Sequence, residues 1–239
     1  MRLLRFRRGN SKFRESKKRE KHNKTLIAAW YNNPKEEKVD EEKKKIGVTT
    51  LIKDNDLFKP EGTYKDEVAL PSLKIDTILS RTDPKLTDEE NKKKNEERIT
   101  EFGTFVHSLL EHYINNEEED LSHYFKEEKD REKIIDEGFA LRDNFLNSDL
   151  YSSIKSYNLF PEKEFYIKDD DYIVEGIIDL LAIKDDEIII IDFKTDSTLS
   201  EKKHTNQLNY YKNAISTIYP DKHITSYVFY LRNSQEIMV

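Results

Sequence analysis

Residues 172–194 read YIVEGIIDLLAIKDDEIIIIDFK, and this stretch decides the fold. It contains two apolar runs rich in β-branched residues, separated by a charged tetrapeptide at 184–187, which predicts two strands joined by a tight turn. The second run is apolar at successive positions, which is typical of a strand buried on both faces. A similar segment at 164–167 predicts a preceding strand. The three segments together predict a β-meander.

Two aspartates interrupt these apolar strands. A tight turn at Asp185 and Asp186 places Asp179 directly opposite Asp192 on the neighbouring strand. Opposed side chains lie roughly 5 Å apart at Cβ, so two carboxylates there repel each other unless a cation neutralises them. Lys194 lies two residues after Asp192, and strand alternation puts its ammonium on the same face. Asp192 and Lys194 alone would favour a structural ion pair, but the facing Asp179 favours chemistry.

Carboxylate oxygens at this spacing suit Mg²⁺ or Mn²⁺. Such an ion polarises a phosphoryl oxygen and lowers the pKa of a bound water for attack. Lys194 would orient or deprotonate that water, or stabilise the developing charge. Asp179, Asp192 and Lys194 therefore predict metal-assisted hydrolysis.

The segments around the meander predict helices on both sides of it. Apolar residues at helical spacing predict an amphipathic helix at 99–114, and a weaker pattern predicts helical structure at 128–150, with Pro161 ending the helical region. A helix is predicted at 205–218 and a strand at 226–231. This order predicts an α/β fold in which helices flank a sheet.

The N-terminal part of the chain differs in composition from the rest. Residues 1–24 hold eleven Lys or Arg and two Glu, a net charge of +9, so the remaining residues carry −16 of the total −7. This basic segment is either an arm that contacts nucleic acid or a disordered tail. The mixed-charge run at 35–45 indicates a linker, and residues 53–74 indicate a loop. We predict an N-terminal extension over 1–45 and one domain over 46–239.

Composition excludes several kinds of site. The 239 residues include no cysteine, which rules out disulfides, thiolate zinc sites and an iron–sulfur cluster. No stretch approaches the roughly 20 apolar residues that span a bilayer, so we predict no membrane segment and expect a soluble, cytoplasmic protein. The chain contains no Gly-x-x-x-x-Gly-Lys-Ser/Thr loop, so no ATP site is predicted in it.

Four short motifs occur in order along the chain. They are Gly103-Thr104-Phe105-Val106-His107, Glu175-Gly176-Ile177-Ile178-Asp179, Ile191-Asp192-Phe193-Lys194-Thr195-Asp196 and Gln207-Leu208-Asn209-Tyr210-Tyr211. One such motif is a weak signal, but four in this order resemble the nuclease motifs of the RecB/AddA family of PD-(D/E)XK nucleases. The resemblance covers roughly residues 46–235. It implies a restriction-endonuclease-like core, with a central mixed β-sheet flanked by helices.

The resemblance also implies roles for individual residues. It implies metal ligation by His107, Asp179, Asp192 and the backbone carbonyl of Phe193, with Lys194 catalytic alongside the two aspartates. Without the resemblance, a single histidine beside an apolar helix stripe would be interpreted as structural.

Three further residues have supporting roles by resemblance. Gln207 and Tyr211, one helical turn apart, would lie beside the site and support it or its DNA contacts. Glu164 matches an acidic position on the first strand of the family's core. It is either a further ligand, a partner of a ligand, or a surface glutamate.

The activity that the resemblance implies is metal-dependent hydrolysis of DNA. The family members are typically exonucleases that process double-strand breaks in repair and recombination, with a helicase subunit or helicase domain as partner. Two alternatives remain open: a catalytically inactive DNA-binding or scaffolding domain of the same fold, and a restriction or defence endonuclease. Intact Asp179, Asp192 and Lys194 favour catalysis over the first alternative, and we find no separate sequence-reading module to support the second.

Overall fold

The computed structural model describes most of the chain from residue 67 onward and short segments before it. The described residues are 3–4, 25–29, 44–48, 50, 67–70, 73–169 and 172–239. The basic segment at 1–24 and the mixed-charge run at 35–45 lie almost wholly outside the described residues. Most of the predicted loop at 53–74 lies outside them as well.

A mixed β-sheet forms the centre of the fold. The strands of this sheet and of a smaller second sheet are β1 (Leu3–Leu4), β2 (Thr25–Ala29), β3 (Lys44–Gly47), β4 (Val68–Ala69), β5 (Asn158–Asp169), β6 (Tyr172–Lys184), β7 (Glu187–Lys194), β8 (Thr198–Leu199), β9 (His223–Tyr230) and β10 (Gln235–Met238). The main sheet has the order β1-β2-β5-β6-β7-β9-β10, with β3 also pairing with β6. β5, β6 and β7 are antiparallel neighbours, whereas β9 runs parallel to β7. The second sheet contains β4 and β8.

Helices pack on both faces of the main sheet. In the described part of the chain they are α1 (Lys74–Leu79), α2 (Asp88–Asn115), α3 (Arg131–Leu146), α4 (Asp149–Ile154) and α5 (Glu201–Ile218). The core on one face contains residues of α1 to α4, and the core on the other face contains residues of α5. We call these the α2-side core and the α5-side core. The predicted α/β class, with a mixed sheet between helices, is confirmed.

The predicted β-meander is also confirmed. Lys184 pairs with Glu187 across a two-residue turn, and Leu180 pairs with Ile191, which is the register that the sequence predicts. Asp185 in the turn has a φ of 46°, in the left-handed region that aspartate adopts more readily than most residues. The turn therefore fixes which residues of β6 and β7 face each other.

Helix α2 is longer than the predicted segment at 99–114. It begins at Asp88, so the charged run before the amphipathic segment belongs to the same helix. The Thr87 hydroxyl accepts a hydrogen bond from the Glu90 amide at 3.3 Å, and the Glu90 carboxylate accepts one from the Thr87 amide at 2.8 Å. This reciprocal cap satisfies two amide groups and stabilises a helix start that buries little apolar surface.

The prediction that Pro161 ends the helical region is wrong. Helix α4 ends at Ile154, and β5 begins at Asn158. Pro161 lies inside β5 and pairs with Leu180 of β6. Proline lacks an N–H and is tolerated in a strand where no second neighbour needs it, and the pairing of β2 with β5 covers only 164–167.

Short strands from the predicted N-terminal extension join the main sheet. β2 runs parallel to β5, and β3, which crosses the proposed boundary at residue 45, runs parallel to β6. The segments between these strands lie outside the described residues, so the domain boundary stays a prediction. Among the described helices, none is long and apolar enough to cross a membrane.

Gly138 of α3 lies against the fully buried ring of Phe105 in α2, and a Cβ at residue 138 would be 2.4 Å from that ring. Alanine would gain about 1 kcal/mol of helix propensity, but overpacking a core costs about 1–3 kcal/mol. At this separation we expect the cost to win, so Gly138→Ala should lower the melting temperature in circular dichroism. Gly47→Ala, where a Cβ meets nothing within 4 Å, is the control. An unchanged melting temperature for Gly138→Ala would contradict this tight packing.

Candidate active site

Three side chains from three elements meet at the end of the β6–β7 hairpin. His107 of α2, Glu162 of β5 and Asp179 of β6 each offer one ligand atom, and these atoms lie within 4.8 Å of one another. His107 Nδ1 is 3.6 Å from Glu162 Oε1 and 3.7 Å from Asp179 Oδ1. All three residues are partly exposed, so a ligand can reach them from solvent. We call this group the ligand cluster, since its donors suit a divalent cation.

A local twist of β5 and β6 turns Glu162 and Asp179 toward α2. Glu162 has a φ of 45°, which is uncommon for a residue other than glycine. On β6, Ile178 packs in the α5-side core and Leu180 packs in the α2-side core, although simple alternation would put them on one face. The register of β5 with β6 is the same before and after this point. The two strands therefore rotate together, without an inserted residue.

The neighbouring strand holds Asp179 in place. Its Oδ2 accepts a hydrogen bond of 2.7 Å from the backbone amide of Phe193 on β7. The backbone pairing of β6 with β7 reaches Leu180 and Ile191, so this side-chain bond continues where that ladder ends. Asp179 Oδ1 faces His107 instead. One oxygen fixes the side chain and the other is directed into the ligand cluster, while the predicted role of the Phe193 carbonyl as a ligand stays a prediction.

Asp192 and Lys194 lie side by side on β7, as strand alternation predicts. Lys194 Nζ is 2.7 Å from Asp192 Oδ2. Asp192 is 1% exposed, yet its Oδ2 accepts no hydrogen bond of good geometry within the described residues, so its contact with Lys194 is an ion pair only. A buried carboxylate oxygen without a hydrogen bond is costly. A cation is a partner that this atom fits.

Burial and mutual repulsion set the ionisation of the strand residues. Burial raises the pKa of Asp192, and the charge of Asp179 raises it further. Burial also raises the pKa of Asp179, although His107 and Lys194 oppose that rise. Burial lowers the pKa of Lys194, but Asp192 and Asp179 outweigh burial and the net shift is upward. The amine is therefore an ammonium at neutral pH, and the carboxylates need positive charge beside them to ionise fully.

His107 is the titratable group of the ligand cluster with the largest change. Burial by itself lowers the pKa of His107, but Asp179, Glu162 and Asp192 outweigh burial and raise it to about 9. The imidazole is therefore protonated at neutral pH unless a cation replaces the proton. Its ring meets the edge of the Phe193 ring, with centroids 6.1 Å apart.

Gln207 and Tyr211 of α5 lie beside the site. Gln207 Nε2 donates a hydrogen bond of 2.8 Å to Tyr211 Oη, across one helical turn as the sequence predicts. Tyr211 is buried and packs edge-on against Phe165, with ring centroids 5.4 Å apart. Burial raises the pKa of the Tyr211 hydroxyl, and the site carboxylates add to the rise. A contact of this pair with DNA stays a prediction.

Among the described residues, the ligand cluster contains Glu162 and not Glu164. Glu164 lies opposite Ile177, further along β5. The sequence analysis missed Glu162 because it interpreted Pro161 as a break before the strand. Pairing β5 with β6 through Pro161 would have put Glu162 level with Asp179. A ligand role of Glu164 stays a prediction that the geometry does not favour.

An open groove leads to the ligand cluster from the side of α2. Its volume is about 370 Å³, and it is lined by His107 and Glu162 together with the hydroxyl-bearing residues Thr104, Ser108 and Tyr124. This volume is in the range of small-ligand pockets. A substrate can therefore approach His107 and Glu162 directly from solvent.

Known proteins share this region of the chain. The family model described as the PD-(D/E)XK nuclease superfamily matches residues 80–237. The chain is 29% identical over 182 residues to an ATP-dependent helicase/nuclease subunit of Staphylococcus haemolyticus strain JCSC1435, which covers 61% of this chain and 14% of that protein. It is 27% identical over 185 residues to the protein of the same name from Staphylococcus aureus strain JH9, which covers 62% of this chain and 15% of that protein.

The match to the relatives and the match to the family differ in reach. The chain spans only about one seventh of the length of these curated relatives. The family model, in contrast, matches well over half of the chain, from the start of the helical layer to the last strand. PD-(D/E)XK nucleases use divalent metals, which agrees with the donors of the ligand cluster. From its fold, its site and this match, the chain belongs to the PD-(D/E)XK nuclease superfamily.

Proposed function

We propose that this protein is a metal-dependent DNA nuclease that hydrolyses phosphodiester bonds. The observation that carries the proposal is the convergence of His107, Glu162 and Asp179 beside the buried pair of Asp192 and Lys194. A structural ion pair would account for Asp192 and Lys194 alone. It would not account for three ligand groups from three separate elements at the same place.

Mg²⁺ or Mn²⁺ suits the donors of this site. Asp179, Asp192 and the Phe193 carbonyl would provide oxygen ligands, His107 would provide a nitrogen ligand, and Glu162 lies within reach on the groove side. The buried Oδ2 of Asp192, which lacks a hydrogen bond within the described residues, supports this assignment. When bound, such an ion supplies charge that polarises a phosphoryl oxygen and lowers the pKa of a water.

The residues of the chain position the substrate and stabilise charge. Asp192 holds the Lys194 ammonium at 2.7 Å, so Lys194 acts as a hydrogen-bond donor to the charge that develops on the phosphate, and not as a base. The bond from the Phe193 amide fixes Asp179 before substrate binds, which reduces reorganisation during the reaction. The site is therefore organised in advance of substrate binding.

The relatives indicate a biological setting for this activity. Their name combines a helicase with a nuclease, and this chain matches only 14% and 15% of their length. On that basis we propose that the substrate is DNA, that cleavage is exonucleolytic, and that it serves double-strand-break repair in the cytoplasm. A helicase subunit or helicase domain would deliver the DNA strand to the groove.

The first test of this function removes the ammonium. Lys194→Ala should lower kcat for DNA cleavage by about 10²–10³-fold, because a donor to the developing charge is lost. Single-stranded DNA, double-stranded DNA and RNA are assayed with Mg²⁺ and then with EDTA. Lys133→Ala, which removes a lysine that is 73% exposed on α3, is the control. Undiminished cleavage by Lys194→Ala would refute its role, and a wild-type protein that cleaves none of the three substrates would favour an inactive DNA-binding domain.

A second test compares two glutamates on the same strand. Glu162→Gln should weaken Mn²⁺ binding by about tenfold or more in calorimetry, because the amide carries no charge and Glu162 belongs to the ligand cluster. Glu164→Gln makes the same chemical change opposite Ile177 and should leave Mn²⁺ affinity near the wild-type value. Equal losses in both variants would show that the effect comes from overall charge, and a loss in Glu164→Gln alone would return the ligand role to that residue.

A third test uses the pKa of His107. Ligation needs the neutral imidazole, and the pKa of His107 is about 9 without a cation, so Mn²⁺ binding should displace one proton at neutral pH. The Mn²⁺ affinity should therefore rise as pH increases from 6.5 toward 9, where the proton is lost unaided. Calorimetry in buffers of different ionisation enthalpy measures the proton release. His107→Ala should remove this release while the protein stays folded, and a wild-type affinity independent of pH would contradict ligation by His107.

A further inference from the structure

His204 is a buried titratable group that the proposed function does not use. It lies in the first turn of α5, 6% exposed, and its Nε2 makes no hydrogen bond of good geometry. Within the described residues, His204 Nε2 and Asp192 Oδ2 are the two buried side-chain polar atoms without a hydrogen-bond partner. Leaving such an atom unsatisfied costs about 1–3 kcal/mol. A residue with this cost, so near the site, needs an explanation.

The nearest charged contact of His204 is with the loop that follows the Lys194 strand. His204 Nε2 is 3.3 Å from Asp196 Oδ2, which makes the contact electrostatic. The ring also packs against the edge of Tyr230, with centroids 6.3 Å apart. The Tyr230 hydroxyl accepts a hydrogen bond from the Ser200 amide at 2.9 Å and donates one to the Ser200 carbonyl at 3.0 Å. Tyr230 is thus fixed, and it holds the His204 ring against Asp196.

Asp196 lies in the same electrostatic environment as Lys194. Lys194 is two residues before Asp196, and the charge of Asp196 contributes to the raised pKa of Lys194. Lys194 is also the residue that pairs with Tyr230 across β7 and β9. Two carboxylates therefore attract one ammonium: Asp192, with a side chain 2% exposed, and Asp196, with a side chain 34% exposed. In the structure the ammonium lies with Asp192.

We propose that His204 is a positioning residue, which engages the Asp196 carboxylate and thereby keeps the Lys194 ammonium with Asp192. This inference rests on the proposed function, since it concerns the lysine that serves catalysis there. Without the His204 nitrogen, Asp196 is released to draw Lys194 away from Asp192. The more exposed carboxylate then holds the lysine outside the site.

A packing role for His204 makes different predictions, which separate it from positioning. His204→Phe keeps a ring against Tyr230 but removes the nitrogen that faces Asp196. If the ring only fills space, this variant should behave as the wild type. If His204 restrains Asp196, the variant should fail because the Asp196 charge competes for Lys194. Asp196→Asn removes that competing charge and should therefore suppress the defect.

The kinetic experiment measures kcat and KM for DNA cleavage in the four combinations of His204→Phe and Asp196→Asn. We expect His204→Phe alone to lower kcat by about tenfold, with little change in KM or in Mn²⁺ affinity. In the Asp196→Asn background, His204→Phe should change kcat by less than about twofold. His223→Phe, at an exposed histidine of β9, controls for the substitution itself. A defect of equal size in both backgrounds, or no defect in either, would overturn the inference.

A structural readout keeps this test independent of the proposed activity. Crystal structures of the wild type and of His204→Phe give the distance from Lys194 Nζ to Asp192 Oδ2, which is 2.7 Å in the native arrangement. We expect the ammonium to move to Asp196 in the variant, even if the wild type cleaves no substrate. A Lys194 that stays with Asp192 would overturn the inference and leave the proposed function intact. If His204→Phe does not fold, His204→Leu replaces it, because the smaller side chain also lacks the nitrogen.

Discussion

The mutual repulsion of two neighbouring carboxylates is the constraint on which the rest of the site depends. Asp179 and Asp192 lie on adjacent strands at the edge of a core, where an ionised group without partners is costly. Each is therefore given a compensating group by a different route. Asp179 accepts the Phe193 amide and faces His107, whereas Asp192 faces the Lys194 ammonium. The same concentration of negative charge that burdens the fold makes the place suitable for a cation.

The sheet solves this constraint by changing its geometry at one point. Before the twist at Asp179, β6 contributes Ile178 to the α5-side core, and after it β6 contributes Leu180 to the α2-side core. The carboxylates of Glu162 and Asp179 thereby reach the His107 imidazole on α2. Asp192 and Lys194 continue the regular alternation of β7. The site thus forms where the two cores meet, and helices from both faces contribute to it.

Short-range patterns predicted much of this arrangement, and the failures have a common cause. The register of β6 with β7 follows from a turn of two residues, because so short a connection leaves one pairing. The pairing of Lys194 with Asp192 follows from alternation within one strand. Pro161 misled the prediction because its meaning depends on whether a second strand lies beside β5, which local sequence does not contain. Glu162 was missed for the same reason.

The sequence by itself determined the elements, the order of the motifs and the residues able to carry the chemistry, because these depend on side-chain periodicity over a few residues. Only the tertiary structure decided which distant side chains meet. His107 reaches Glu162 and Asp179 because α2 packs over a twisted pair of strands, and His204 reaches Asp196 because α5 begins just after the loop that follows β7. Twist and helix placement result from the packing of whole cores, so no short segment of sequence contains them.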